Sequence, residues 1–135
     1  MKTQTKNTIR IFAMTALMLI SGATTIYAQE TWNIGAAANP GGAASVTATL
    51  DGNTLTISGA GAMATFTTSD EINTTAPWND VRSDIHTVII NEGITVISRL
   101  AFYLCSNLTS VTIPHSVTEI DRFAFQGTAL PSVVF

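Results

Sequence analysis

Two histidines, one cysteine and a few neighbouring acids are the residues of this 135-residue chain whose types could do chemistry. A two-histidine metal site needs a third ligand close to both, but His86 and His115 stand 29 apart and Cys105 has no histidine or acid at a matching interval. Glycoside hydrolysis needs two carboxyl groups facing each other across a groove at about 5 to 10 Å. Glu119 and Asp121, or Asp80 and Asp84, come close in sequence without any sign of a cleft between them. Asp70-Glu71 lacks the spacing of a calcium loop. The run Gly59-Ala-Gly-Ala-Met63 lacks the Gly-Lys-Ser/Thr ending of a phosphate loop. No Ser-His-Asp or Cys-His set emerges. The residue types point away from an enzyme: no catalytic residue, no metal ligand and no cofactor is expected.

The elements that would position these side chains are set by a repeat. Residues 85–107 laid over 108–130 without a gap match Val88 with Val111, Ile90 with Ile113, Thr95 with Thr118, Ile97 with Ile120, Arg99 with Arg122, Ala101 with Ala124 and Phe102 with Phe125. These are seven identities in 23 columns, too many in register for two unrelated segments. A third copy begins one residue early, with Leu130, Ser132, Val133 and Phe135 following Leu108, Ser110, Val111 and Ile113. A unit of this length cannot bury its own apolar face and must stack on a neighbour, so the period predicts a repeat solenoid. Alternation marks one short strand per copy, over 87–90 and 110–113. The spacing of Ile97, Ala101, Leu104 and Leu108 predicts a short helix or turn over 98–105. Val88, Ile90, Ile97 and Phe102, with their equivalents Val111, Ile113, Ile120 and Phe125, form the expected core, and parallel strands should place like residues over like.

The stretch L-T-S-V-T-I-P-x-S-V-T-x-I-x-x-x-A-F, over 108–125, resembles the BspA-type leucine-rich repeat of bacterial surface antigens in treponemes and Bacteroides. Residues 85–102 follow the same pattern more loosely. The segments 53–63 and Ala76-Pro-Trp78 resemble the region that often precedes such repeats. Two positions depart from the pattern: the expected glycine is Ser98 or Asp121, and the cysteine of A-F-x-x-C is Cys105 in one copy but Thr128 in the next. The resemblance implies a leucine-rich-repeat-like fold of short parallel strands with short helical turns, and adhesion to host, matrix or bacterial surface proteins.

Upstream, residues 1–28 read as a secretory signal. Lys2, Lys6 and Arg10 precede an apolar run over 11–20, and Ala28 sits just before Gln29. That run is about half the roughly 20 residues that cross a bilayer, so no stable membrane span is expected after cleavage. Cleavage would leave three basic residues (Arg82, Arg99, Arg122) against nine acidic ones, a net charge of −6. Such a surface repels nucleic acid. In an oxidising compartment the single Cys105 reads as a small buried apolar residue.

Residues 29–84 read as a lead, a β hairpin and a cap for the repeat region 85–135. Residues 29–42 have little periodicity and read as starting with a loose lead, with Trp32 available to dock on the first sheet. Val46, Ala48 and Leu50, then Leu55 and Ile57, alternate with threonine and serine around a three-residue Asp51-Gly52-Asn53 loop. Residues 65–75 read as an exposed polar loop, and Trp78 as the lid of the first layer. On the strand face, Thr87, Ile89, Thr109, Ser110, Thr112 and Ser132 are the candidate binding residues, since stacked repeats place such side chains in rows. The expected function is an exported scaffold that binds proteins. A capping or truncated structural fragment and a carbohydrate-binding module are the rival readings, the last requiring exposed aromatics in line. The last repeat, carried by Val117, Ile120, Phe123, Phe125 and Leu130, offers apolar surface for self-association. If the signal reading is right, the exported protein begins at or near Gln29. An intact-mass measurement should show loss of residues 1–28, and a mass retaining them would refute it.

Overall fold

A computed structural model describes residues 29–68 and 70–132. The signal segment and the third-copy positions Val133 and Phe135 lie outside them. Among the described residues eight strands form two sheets: β1 (Glu30–Asn33), β2 (Val46–Asp51), β3 (Thr54–Gly59), β4 (Gly61–Ala62), β5 (Thr87–Ile90), β6 (Ile94–Ile97), β7 (Ser110–Thr112) and β8 (Glu119–Ile120). The larger sheet runs β1-β2-β3-β5-β7 and the smaller one β4-β6-β8.

Alternation places the buried residues of β2 and β3 on one face. Val46, Ala48 and Leu50 on β2 and Leu55 and Ile57 on β3 are buried, and the two strands pair antiparallel from Val46↔Gly59 to Asp51↔Thr54. Asp51 is thus part of the ladder, and the connection is the two residues Gly52-Asn53 instead of three. Gly52 adopts φ 58°, the left-handed turn conformation that glycine reaches without a Cβ penalty. Residues 29–42 are not a loose lead throughout: Glu30–Asn33 pairs antiparallel with β2 and buries Trp32. One apolar residue in four gave too little periodicity to mark that strand.

From β3 onward each named strand pairs with the next one in its sheet in parallel. Thr54, Leu55, Thr56 and Ile57 lie beside Thr87, Val88, Ile89 and Ile90, and Thr87, Val88 and Ile89 beside Ser110, Val111 and Thr112. In the second sheet Val96 and Ile97 pair with Glu119 and Ile120. The repeat-to-repeat expectation of Val88 over Val111 therefore appears in the register. Strand β6 was not expected. Its sequence Ile-Thr-Val-Ile is β-branched throughout, which suits a strand, but its burial runs buried, half, half, buried without simple alternation. The chain turns from the first sheet to the second at Gly59, φ 123°, where a Cβ would collide with the carbonyl oxygen of Ser45.

The segment after β6 is a series of turns, the second of the two forms that the apolar spacing left open. Leu100 (φ 60°) and Leu104 (φ 56°) are left-handed, as are Phe123 (φ 63°) and Gly127 (φ 76°) one repeat later. A left-handed residue ends a right-handed helix, and in a non-glycine residue it costs of order 1 to 3 kcal/mol. Apolar spacing alone could not reveal this. The turns are held across layers instead: Phe102 N–H donates to the Ala124 carbonyl at 2.8 Å and Leu104 N–H to that of Gln126 at 2.8 Å.

The core follows an aromatic ladder. Trp78 stacks on Phe102 with centroids 5.9 Å apart, and Phe102 on Phe125 at 5.3 Å, while Trp32 and Phe66 meet Trp78 edge-on. The Trp78 indole N–H donates to the Ala101 carbonyl at 2.9 Å. Val88, Ile90, Ile97 and Phe102 are buried, whereas Val111, Ile113, Ile120 and Phe125 pack against them only partly buried. Arg99 is half-buried, with its guanidinium 6.0 Å from the centre of the Phe123 ring. Phe102→Ala should accordingly cost about 3 to 5 kcal/mol, Phe125→Ala clearly less, and Arg99→Ala up to about 1 kcal/mol. Chemical denaturation of the three variants orders them, and equal losses for Phe102 and Phe125 would contradict the burial difference.

Candidate binding face

On each strand of the larger sheet the residues that alternate with the core point outward. The register carries them across strand boundaries in three lines: Thr31, Thr49, Thr56, Ile89 and Thr112; Asn33, Thr47 and Ser58; Asp51, Thr54, Thr87 and Ser110. Neighbouring strands are about 4.8 Å apart, and outward residues of one strand about 6.5 to 7 Å apart. The side chains are mainly β-branched hydroxyls, which hold few rotamers. Thr31 and Thr49 share a hydroxyl-hydroxyl bond of 3.2 Å, and Asn91 Nδ2 donates to Ser58 Oγ at 2.9 Å. Each hydroxyl both donates and accepts, and Asp51 is the sole ionisable side chain in the three lines. This face can offer hydrogen bonds and methyl contact to a partner, with little long-range charge steering.

Of the residues singled out from sequence, Thr87 and Ile89 are half-buried in these lines and Ser110 and Thr112 are exposed in them. Thr109 does not belong with them. It precedes β7, adjacent to Ser110, and consecutive residues of an extended chain face opposite ways. Its N–H and hydroxyl both donate to the His86 carbonyl, at 3.0 and 3.4 Å. Ser132 is exposed but sits in no described strand. Thr31, Asn33, Thr47, Thr49, Thr54, Thr56 and Ser58 were missed as part of the face. Their alternation was legible, but β3 and β5 pair at a sequence offset of 33 while β5 and β7 pair at 23, so a fixed period could not join the two halves.

The residues of chemical type are dispersed. Among the described residues no three of His, Cys, Asp and Glu gather as a metal group. His115 donates its backbone N–H to Glu92 Oε1 at 3.3 Å. Burial pushes the Cys105 thiol up to about 12, so at neutral pH it stays protonated and serves as packing. The Asp70 carboxylate is engaged by its own turn: Oδ1 accepts from Ile72 and Asn73 N–H at 2.8 and 2.7 Å and Oδ2 from Asn73 Nδ2 at 3.0 Å. The side-chain bond from Asn73, then the backbone bonds, hold Asp70 below the usual carboxylate range. Trp78 is 1% exposed and Trp32 is also buried, so neither ring offers the exposed face that a sugar-stacking platform requires. No described helix is long and apolar enough to cross a membrane.

Among curated proteins none is significantly similar to this chain. The crystal structure of a leucine-rich repeat protein from Eubacterium ventriosum ATCC 27560 is similar, with 36% identity and a TM-score of 0.65, over 78% of this chain and 26% of that one. The chain thus spans about a quarter of that protein's length. The family described as BspA type leucine rich repeat region (6 copies) matches residues 64–135, more than half of the sequence. Together with the parallel register of like residues, this match means that the chain belongs to the BspA-type leucine-rich repeat family.

Proposed function

We propose that this chain is an exported, non-enzymatic scaffold that binds a protein partner at a cell surface through the outward face of its five-stranded sheet. Residues 1–28 direct export, 29–84 lead into and cap a solenoid through the antiparallel β2-β3 hairpin, and 85–135 carry the repeats. The observation that supports the reading best is the continuity of the outward rows. Thr31, Thr49, Thr56, Ile89 and Thr112 line up over five strands and three structural origins: the lead, the hairpin and the repeats. A row of that length on one rigid sheet is the kind of extended surface that stacked repeats use for protein recognition. Its near-neutral chemistry favours contact by shape and hydrogen bonding over electrostatic capture.

A second use is favoured by the last described layer. Val111, Ile113, Val117, Ile120, Phe125 and Leu130 are only partly buried, and Phe123 is 47% exposed. Apolar surface of this kind next to a strand edge supports association of this layer with a second copy. Light scattering coupled to size exclusion over a concentration series reports that association, and a monomer at every concentration argues against it.

The strand face is tested by placing charge in the middle of the rows. Thr56→Arg and Thr112→Arg should reduce binding of the purified protein to surfaces coated with host extracellular matrix by roughly tenfold or more, as central interface changes do. Thr118→Arg, on the exposed part of the second repeat, should bind as the parent does. Thermal unfolding confirms that all three variants keep the fold. Equal binding by all three, with folds intact, removes the face from the reading.

A further inference from the structure

A polar cleft of about 500 Å³, sharing no residue with the described rows, is lined by Asn73, Asn79, Asp80, Arg82, Ser83, Leu104 and Ser106. Its volume lies in the range of small-molecule sites. The walls come from two separate places in the sequence, the 3-10 helix Asn79–Asp84 with the preceding loop and the turn after Phe102. Their relative position is fixed by the fold, since Asn107 Nδ2 donates to the Ser83 carbonyl at 2.7 Å.

The polar groups form a connected set. Asp70 orients Asn73 through two hydrogen bonds and accepts a third from the Ile72 N–H. Asn73 Oδ1 accepts from Asn79 Nδ2 at 3.3 Å, and the same Nδ2 reaches Asp80 Oδ1 at 3.3 Å. Asn79 Oδ1 accepts from Thr74 N–H at 2.9 Å and from Arg82 Nη1. These contacts engage part of each group's capacity. A guanidinium has five N–H donors in a planar fork, and a carboxylate about four acceptor positions.

Leu104 supplies the apolar wall at a conformational cost. It is left-handed, at φ 56°, in the column where the next repeat has Gly127. Its side chain lies where a Cβ on Gly127 would collide with it, and it also lines the cleft. A leucine is thus held in a glycine conformation beside this opening.

We propose that the cleft binds a neutral saccharide unit. Charge decides the class: an anionic ligand that meets Arg82 also meets Asp80, and a cationic ligand that meets Asp80 also meets Arg82. A ligand whose adjacent hydroxyls donate and accept together satisfies both, with Ser83 and Ser106 as further hydroxyl partners and Leu104 against the C–H face of the ring. The pre-formed amide network limits the ordering that binding would otherwise require. This site is separate from the strand face, and its success or failure leaves the reading of that face untouched.

Isotope-edited NMR titration of the protein with glucose, galactose, mannose, N-acetylglucosamine, maltose, lactose and chitobiose tests it. N-acetylglutamate and N-acetyllysine serve as charged controls. The expected result is saturable shifts for at least one saccharide, confined to the Asn73 and Asn79 side-chain amides and the backbone amides of Asp80, Arg82, Ser83 and Ser106. Asp80→Asn should weaken that saccharide by roughly tenfold, the loss of a charge-assisted bond, and Ser106→Ala by several-fold, both without moving the thermal midpoint. Absence of saturable cleft shifts with every saccharide overturns the proposal. So does tighter saturation of the cleft by either charged control, which would assign it to a peptide side chain, or full affinity in both variants.

Discussion

A layer of 23 residues cannot enclose a core, and everything else in this molecule depends on how each layer borrows cover from the next. The ladder of Trp78, Phe102 and Phe125 is where that dependence is most concentrated. Each ring is flat against the one below, so the layer spacing set by parallel strands and the stacking distance of aromatic rings must agree. Phe102, covered on both sides, is fully buried, while Phe125, covered on one, is not. At the other end Trp32 and Phe66 meet Trp78 edge-on, which changes the geometry from stacking to closure.

Stacking also has to satisfy backbone polar groups in the turns, where no ladder reaches. Side chains do part of this work. Ser116 Oγ accepts from Gly93 N–H at 3.0 Å and donates to the Ile94 carbonyl at 2.8 Å, while the Glu92 carboxylate accepts from the N–H groups of His115 and Ser116. Ser98, which stands where the family pattern has glycine, donates to the Met63 carbonyl at 2.6 Å and is buried. The departure is therefore accommodated because the hydroxyl finds an acceptor in the layer before it. On the N-terminal side Asn39 plays a similar part, donating to the Ala62 carbonyl at 2.7 Å and accepting from the Ala62 N–H at 3.1 Å.

The sequence was most informative where a physical requirement recurs at a constant interval. Val88 over Val111 and Phe102 over Phe125 could be read because identical columns must stack in identical environments. Strand β1 was hidden because only Trp32 of its four residues is buried. Strand β6 was hidden because its half-covered positions blur the period of two. The left-handed Leu100, Leu104 and Phe123 were invisible because leucine and phenylalanine carry no sign of that conformation, unlike Gly127. Within the candidate face, Thr87, Ile89, Ser110 and Thr112 followed from alternation, whereas the rows shared with the N-terminal strands required knowing that β3 runs beside β5. The polar cleft was not legible at all, since its walls are joined by tertiary folding and their residues follow no pattern.

That β3 and β5 pair 33 residues apart, against 23 for β5 and β7, bears on how the chain reaches its fold. Loop-closure entropy grows only with the logarithm of length, so the longer connection costs roughly 0.3 kcal/mol more. Such a penalty is small beside the burial of one aromatic ring. The length of this connection is therefore a minor term, and its weight in the stack comes from what it carries: β4, Phe66 and Trp78. Strands β5 and β7, joined by the shorter closure, have the entropic advantage in pairing early. The N-terminal sheet then has a formed edge on which to dock, and Trp78 becomes the side chain whose burial records that the two halves have met.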